Sequence, residues 1–105
     1  MVLLHIHAKS REQANEIVDY LLEKSLILNA VLVDQAQLRK KDEDGNIVEE
    51  ARILIMGKTK ALLFNTIDQQ MRDRYKEKMP VLYSVPIVSM DWEQANELVM
   101  ETAKV

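Results

Sequence analysis

The chain has no cysteine, and that absence removes disulfides, thiolate nucleophiles and cysteine-based zinc sites together. Glycine is almost as scarce. Only Gly45 and Gly57 occur, so no glycine-rich loop can cradle a phosphate. Histidine is limited to His5 and His7, which leaves few ligands for a metal. Basic charge is short as well: 14 Lys and Arg stand against 17 Asp and Glu, for a net charge of -3. Phosphate contacts need a basic surface, so nucleic acid is not an expected partner. No apolar run approaches the roughly 20 residues that cross a bilayer. The start MVLLHIH also lacks the basic, then long apolar, pattern of a secretory signal. No membrane association is expected, and the expected location is the cytoplasm.

What is present describes one soluble domain over residues 1–105. Apolar residues make up 48% and charged residues 30%, far from a disordered composition. A chain of this length buries enough surface for one core and not two. No Gly/Ser/Pro-rich linker divides it.

Along the chain, VLLHIHA (2–8) reads as a first strand. Ser10 and Gln13 have the spacing of a capping box, with Glu12 where the helix dipole favours an anion. Ala14, Ile17, Val18, Leu21 and Leu22 then fall on one helix face. LILNAVLVD (26–34) is a β-branched, apolar strand that QAQLRKK prolongs. DEDGN (42–46) carries a turn signal, and IVEEARILIMGK (47–58) returns, so the two form a long hairpin whose tip reaches beyond its own core.

Thr59 is placed to cap a second helix bearing Leu63, Ile67, Met71 and Tyr75 at four-residue spacing. Pro80 ends that region. VLYSVPIVS (81–89) is the fourth strand, with Pro86 predicting an edge or a bulge. A last helix starts at Asp91. The order is the ferredoxin-like βαββαβ arrangement of an α+β fold with an antiparallel sheet and an additional C-terminal helix.

EQANEIV (12–18) returns as EQANELV (93–99), with Ile17 against Leu98 the one difference. A duplicated ferredoxin-like fold would relate the first helix to the second. This repeat relates the first to the third, and its flanks diverge. It reads as a shared way of starting a helix: a cap, a dipole-favouring Glu, and one buried stripe.

No catalytic set assembles. Glu49 and Glu50 are adjacent on a strand and point to opposite faces. The acids of DEDGN fail the EF-hand pattern, because a loop with its glycine at Gly45 would begin at Lys40 and end at Ala51. His5 and His7 share a strand face, but no third ligand is visible, so no metal site is predicted. The six methionines, with Met71 on a core face, read as packing. Lys58 and Thr59, at a strand end and a predicted helix start, are the one place where an anion could rest, with capping and surface charge as the plainer role.

From Gly45 through Glu49-Glu50, Lys58-Thr59, Phe64, Pro80 and Pro86 the chain resembles, without a gap, the CutA divalent-cation tolerance proteins, and upstream LLEKSL (21–26) is similar to the family's helix end that leads into strand two. That resemblance implies a small cytoplasmic ferredoxin-like domain that assembles as a tight homotrimer, without enzymatic activity or cofactor. It implies no thiol-based metal site here. The position of the family's copper-linked cysteine falls on Asn29, and its His-Pro-Tyr motif falls on Tyr75, Lys76 and Glu77. The tryptophans before its hairpin turn give way to Leu38-Arg39. Asparagine is a hard, neutral ligand and cannot replace a thiolate for a soft metal. The expected function is therefore that of a non-enzymatic trimer, linked to divalent metal tolerance or binding a small ligand or divalent metal at its subunit clefts. The alternative is a PII-like or ACT-like regulatory module, which shares the frame and binds a small molecule between subunits.

Overall fold

Alternation in the first seven-residue strand decides which side of the sheet becomes the core. In the computed structural model, which describes residues 1–105, β1 (Val2–Ala8) buries Val2, Leu4, Ile6 and Ala8 and turns Leu3, His5 and His7 the other way. The elements that follow are α1 (Arg11–Glu23), β2 (Ala30–Lys41), β3 (Ile47–Thr59), α2 (Phe64–Tyr75), β4 (Val81–Pro86) and α3 (Trp92–Glu101). Four antiparallel strands lie in the order β2-β3-β1-β4. This is the α+β, ferredoxin-like arrangement with an added terminal helix. β4 is an edge strand, and Pro86 closes it opposite Val2, where a missing N–H costs the ladder little.

Helices α1 and α2 cover one face of the sheet. Ile17 and Leu21 from α1 and Ile67 and Met71 from α2 meet Leu4, Ile6 and Ile55, all at most 1% exposed. Burying each such side chain stabilises the fold by about 1.5–3 kcal/mol relative to leaving it in water. Gly57 lies under this layer, where an added Cβ would come within 3.2 Å of the Asn29 carbonyl oxygen.

Several local expectations are revised. Leu22 is 42% exposed; the buried stripe of α1 is Gln13, Ala14, Ile17 and Leu21. The Gln13 side chain closes its half of the cap one residue early, accepting from the Lys9 amide at 2.9 Å instead of the Ser10 amide. β2 begins at Ala30 and not Leu26. Ser25 takes φ +56, and Leu26 and Ile27 are both buried, which two successive residues of a one-face-buried strand cannot be. β4 stops at Pro86, three residues short of Ser89.

Thr59 does not cap a helix. It is the last residue of β3, fully buried, and its hydroxyl donates to the Leu26 carbonyl at 2.6 Å. A 3-10 turn over Ala61–Leu63 intervenes before α2. That bond joins the end of β3 to the α1–β2 connection and satisfies a buried hydroxyl.

The β2–β3 hairpin runs well past the helices and gives the molecule a long axis of 48 Å. At its tip Gly45 adopts φ +85, a conformation open to glycine. The Asp42 carboxylate accepts from the amides of Asp44 and Asn46, each at 2.9 Å. Halfway along, the register slips between Val33 and Ala36, so Asp34 and Gln35 together oppose Ile53. Gln35 sits at φ +58, the left-handed region that non-glycine residues enter at a cost of about 1–3 kcal/mol.

Candidate functional sites on the open sheet face and at the hairpin base

No helix covers the second face of the sheet. Strand register builds it in rows: Val31, Met56, His5 and Tyr83 lie side by side, and Val33, Leu54, His7 and Val81 form the next row. Val31, Val33, Val81, Tyr83 and Val85 are each about 40–60% exposed. After the bulge the same face continues onto the hairpin through Ala36 and Leu38. A contiguous apolar surface of this kind marks an interaction site in a soluble protein.

Within it, His5 Nδ1 lies 3.2 Å and His7 Nε2 3.3 Å from the hydroxyl oxygen of Tyr83. Both rings also pack on the Tyr83 ring, at centroid distances of 5.1 and 5.5 Å. The hydroxyl can donate to one imidazole nitrogen and must accept from the other, which fixes complementary tautomers. Partial burial, then the neighbouring His5 and Arg52, lower the His7 pKa below the usual imidazole value and so favour the neutral ring. Arg52 is itself paired with Glu50. The sequence showed the two histidines on one face but not Tyr83, whose place depends on β4 lying next to β1 in register.

A second feature occupies the hairpin base. Lys9, Arg11, Asp34, Gln35 and Arg52 line a recess of about 500 Å³ beside the bulge. Arg11 contacts Asp34 at 2.6 Å, so one of the three cationic residues is matched by a carboxylate within the recess. A smaller hollow of about 210 Å³ lies between Lys9, Gln13, Tyr75 and Lys78. The Tyr75 hydroxyl is buried without a partner, and burial raises its pKa.

Lys58 and Thr59 belong to neither recess. Lys58 opposes Leu3 on the open face, and Thr59 is in the core. The Thr59 hydroxyl is given to the Leu26 carbonyl, and Lys60 stands between this pair and the 3-10 turn that leads into α2. Asn29 is exposed just ahead of β2. No three His, Asp or Glu side chains are grouped so that they could hold a metal ion. No helix is long and apolar enough to cross a membrane.

The backbone arrangement as a whole is found in a group of solved structures. The chain superposes on a point variant of CutA1 from Pyrococcus horikoshii OT3 with a TM-score of 0.88 and 21% identity, covering 99% of this chain and 100% of that one. The chain has the CutA1 fold. The divalent cation tolerance protein CutA1 of Thermus thermophilus matches with a TM-score of 0.87, 22% identity and coverage of 97% and 98%. A CutA from Archaeoglobus fulgidus, described as a periplasmic divalent cation tolerance protein, matches with a TM-score of 0.82, 22% identity and coverage of 92% and 93%. No protein-family model and no curated protein sequence matches the chain. The CutA1 fold is thus carried here by a sequence that shares about a fifth of its residues with these structures.

Proposed function

We propose that the protein is a CutA-like, non-enzymatic homotrimer of the cytoplasm that binds a small ligand or divalent cation in the clefts between its subunits and thereby contributes to tolerance of divalent cations. The observation that carries this reading is the uncovered sheet face, with its exposed valines, which continues past the bulge onto an overhanging hairpin. An isolated chain would leave that surface in water, and it would leave β2 and β4 as unpaired edges. A closed three-fold ring buries the face and gives each arm a neighbouring edge to lie against. Light scattering on purified protein at micromolar concentration should return three times the 12.2 kDa chain mass. A monomer would sink the reading. Val31→Asp, on the open face and half in solvent, should dissociate the assembly while leaving the helix-covered core intact.

The recess at the hairpin base supports a second reading, that of a PII-like or ACT-like module. Lys9, Arg11 and Arg52 line it; Arg11 is paired with Asp34 and Arg52 with Glu50, and Lys9 is the cation left to attract an anionic small molecule. A thermal-shift screen with nucleotides, amino acids and divalent metals separates the two. Stabilisation by a nucleotide that Arg11→Ala abolishes favours the regulator.

A further inference from the structure

We infer that His5, His7 and Tyr83 make the assembly of this chain acid-sensitive: neutral imidazoles let the open sheet face close against further copies, and protonated ones drive the copies apart. The inference rests on the trimer reading above, and its test separates the two.

His5 and His7 occupy the middle of the open face, in the two rows that also hold Val31, Met56, Val33, Leu54 and Val81. A partner sheet that covers those valines therefore covers the rings. One nitrogen of each ring shares the single Tyr83 hydroxyl, at 3.2 and 3.3 Å. With both rings neutral, the hydroxyl accepts from one and donates to the other, and all three atoms are paired. A proton added to the accepting ring aims a second N–H at the same oxygen and leaves the hydroxyl proton without its acceptor. In a free chain water repairs that loss; beneath a covering sheet nothing does. Burying a charged ring there is costlier still.

No neighbouring charge offsets this cost. On β3, Lys58 stands one row from His5, opposite Leu3, and Arg52 lines a hollow with His7. Lys9 follows β1 and lies near Arg52 in the recess at the hairpin base. The carboxylate on this part of β3, Glu50, is already held by Arg52 and by Lys40 of β2. β4 brings Tyr83 between Val81 and Val85, and no ionised group. Partial burial, then His5 and Arg52, hold His7 toward its neutral form in the single chain, and closure of the face adds to the same effect. The closed assembly thus binds fewer protons than free chains do. Its affinity is full above the imidazole range and is lost as pH falls through it. The protons are taken up as the face opens, so no route into the closed face is needed.

Light scattering at low micromolar concentration, from about pH 8 to about pH 5.5, reads the assembly, and circular dichroism reads the helices. The chain should be trimeric at the upper end and lose trimer steeply below about pH 6.5, the ordinary imidazole value. The logarithm of the dissociation constant should change with pH with a slope approaching about six, two protons for each subunit. His5→Gln or His7→Gln alone should roughly halve that slope, and the double variant should remain trimeric throughout. Tyr83→Phe, which leaves an imidazole N–H unpartnered, should weaken the trimer at the upper end by about tenfold or more. Because the chain has only two histidines, their ring proton resonances report protonation in the unmodified protein, and both should titrate together with dissociation.

A trimer that persists at the acid end overturns the inference and leaves the trimer reading standing. Acid dissociation retained in the double variant assigns the effect to other groups and also overturns it. Should the double variant fail to assemble, the ring resonances decide, and protonation that does not accompany dissociation overturns the inference. A monomer at the upper end overturns this inference and the trimer reading together.

Discussion

The same seven-residue recipe is used twice in this chain with unequal results. EQANEIV in α1 and EQANELV in α3 begin alike: the Ser10 hydroxyl accepts from the Gln13 amide and the Asp91 carboxylate from the Gln94 amide, each at 3.0 Å. Beyond that first turn they part. α1 lies on the sheet and buries Gln13, Ala14 and Ile17, whereas α3 buries Leu98 alone and leaves Val99 half in solvent. The glutamines diverge most. The Gln13 amide accepts from Lys9 N–H and donates to the Lys78 carbonyl at 3.0 Å, while Gln94 Oε1 is buried with no partner. Local sequence sets how a helix starts; its neighbours in space set what its side chains are worth.

Mutations at paired positions sharpen that contrast. The largest loss is expected at the apolar pair. Ile17→Ala removes a member of the main core cluster and should cost toward the upper part of the about 2–5 kcal/mol range for such truncations. Leu98→Ala should cost toward its lower part, because Leu98 lies outside that cluster on a sparsely packed helix that can collapse onto the space. Equal losses in urea denaturation would mean that α3 is as firmly packed as α1. A smaller difference is expected at the glutamines. Gln13→Ala leaves the Lys9 amide and Lys78 carbonyl unpaired and should cost about 1–3 kcal/mol, whereas Gln94→Ala removes an already unpartnered acceptor and should be near neutral. If Gln94→Ala proves as costly, its oxygen has a partner in the assembled protein. At the caps the two copies should agree, with Ser10→Ala and Asp91→Ala each losing about 1 kcal/mol in thermal denaturation.

The same division explains how much could be read from the sequence. Ser10 and Asp91 announce their caps because the bond spans three residues. The hairpin announces itself through Gly45, and the buried stripe of Leu63, in the 3-10 turn, with Ile67 and Met71 of α2 through its four-residue spacing. Thr59 misled because a hydroxyl at a strand end looks like a helix cap until its partner, the Leu26 carbonyl 33 positions away, is known. Leu26 and Ile27 resembled a strand start because apolar character alone does not separate a buried connection from a strand. Likewise, Tyr83 joins His5 and His7 only through the order β3-β1-β4 and its register, and neither is written locally. The cationic recess has the same origin, since Lys9 and Arg11 reach Arg52 only once β3 has paired beside β1.

The bulge at Asp34–Gln35 carries a consequence for how such a chain can change length. Before it, odd-numbered residues of β2 face the open side; after it, even-numbered ones do, so Val31, Val33, Ala36 and Leu38 share a face across the slip. The extra residue works as a parity correction. Matched pairs of residues can be added to or trimmed from the arm toward Gly45 without disturbing which way any side chain points. If Gln35 paired regularly instead of sharing Ile53 with Asp34, everything distal to it would turn over, presenting Gln37 and Arg39 where Ala36 and Leu38 now lie; loss of Gln35 alone would remove the bulge and leave Ala36 and Leu38 on the open face.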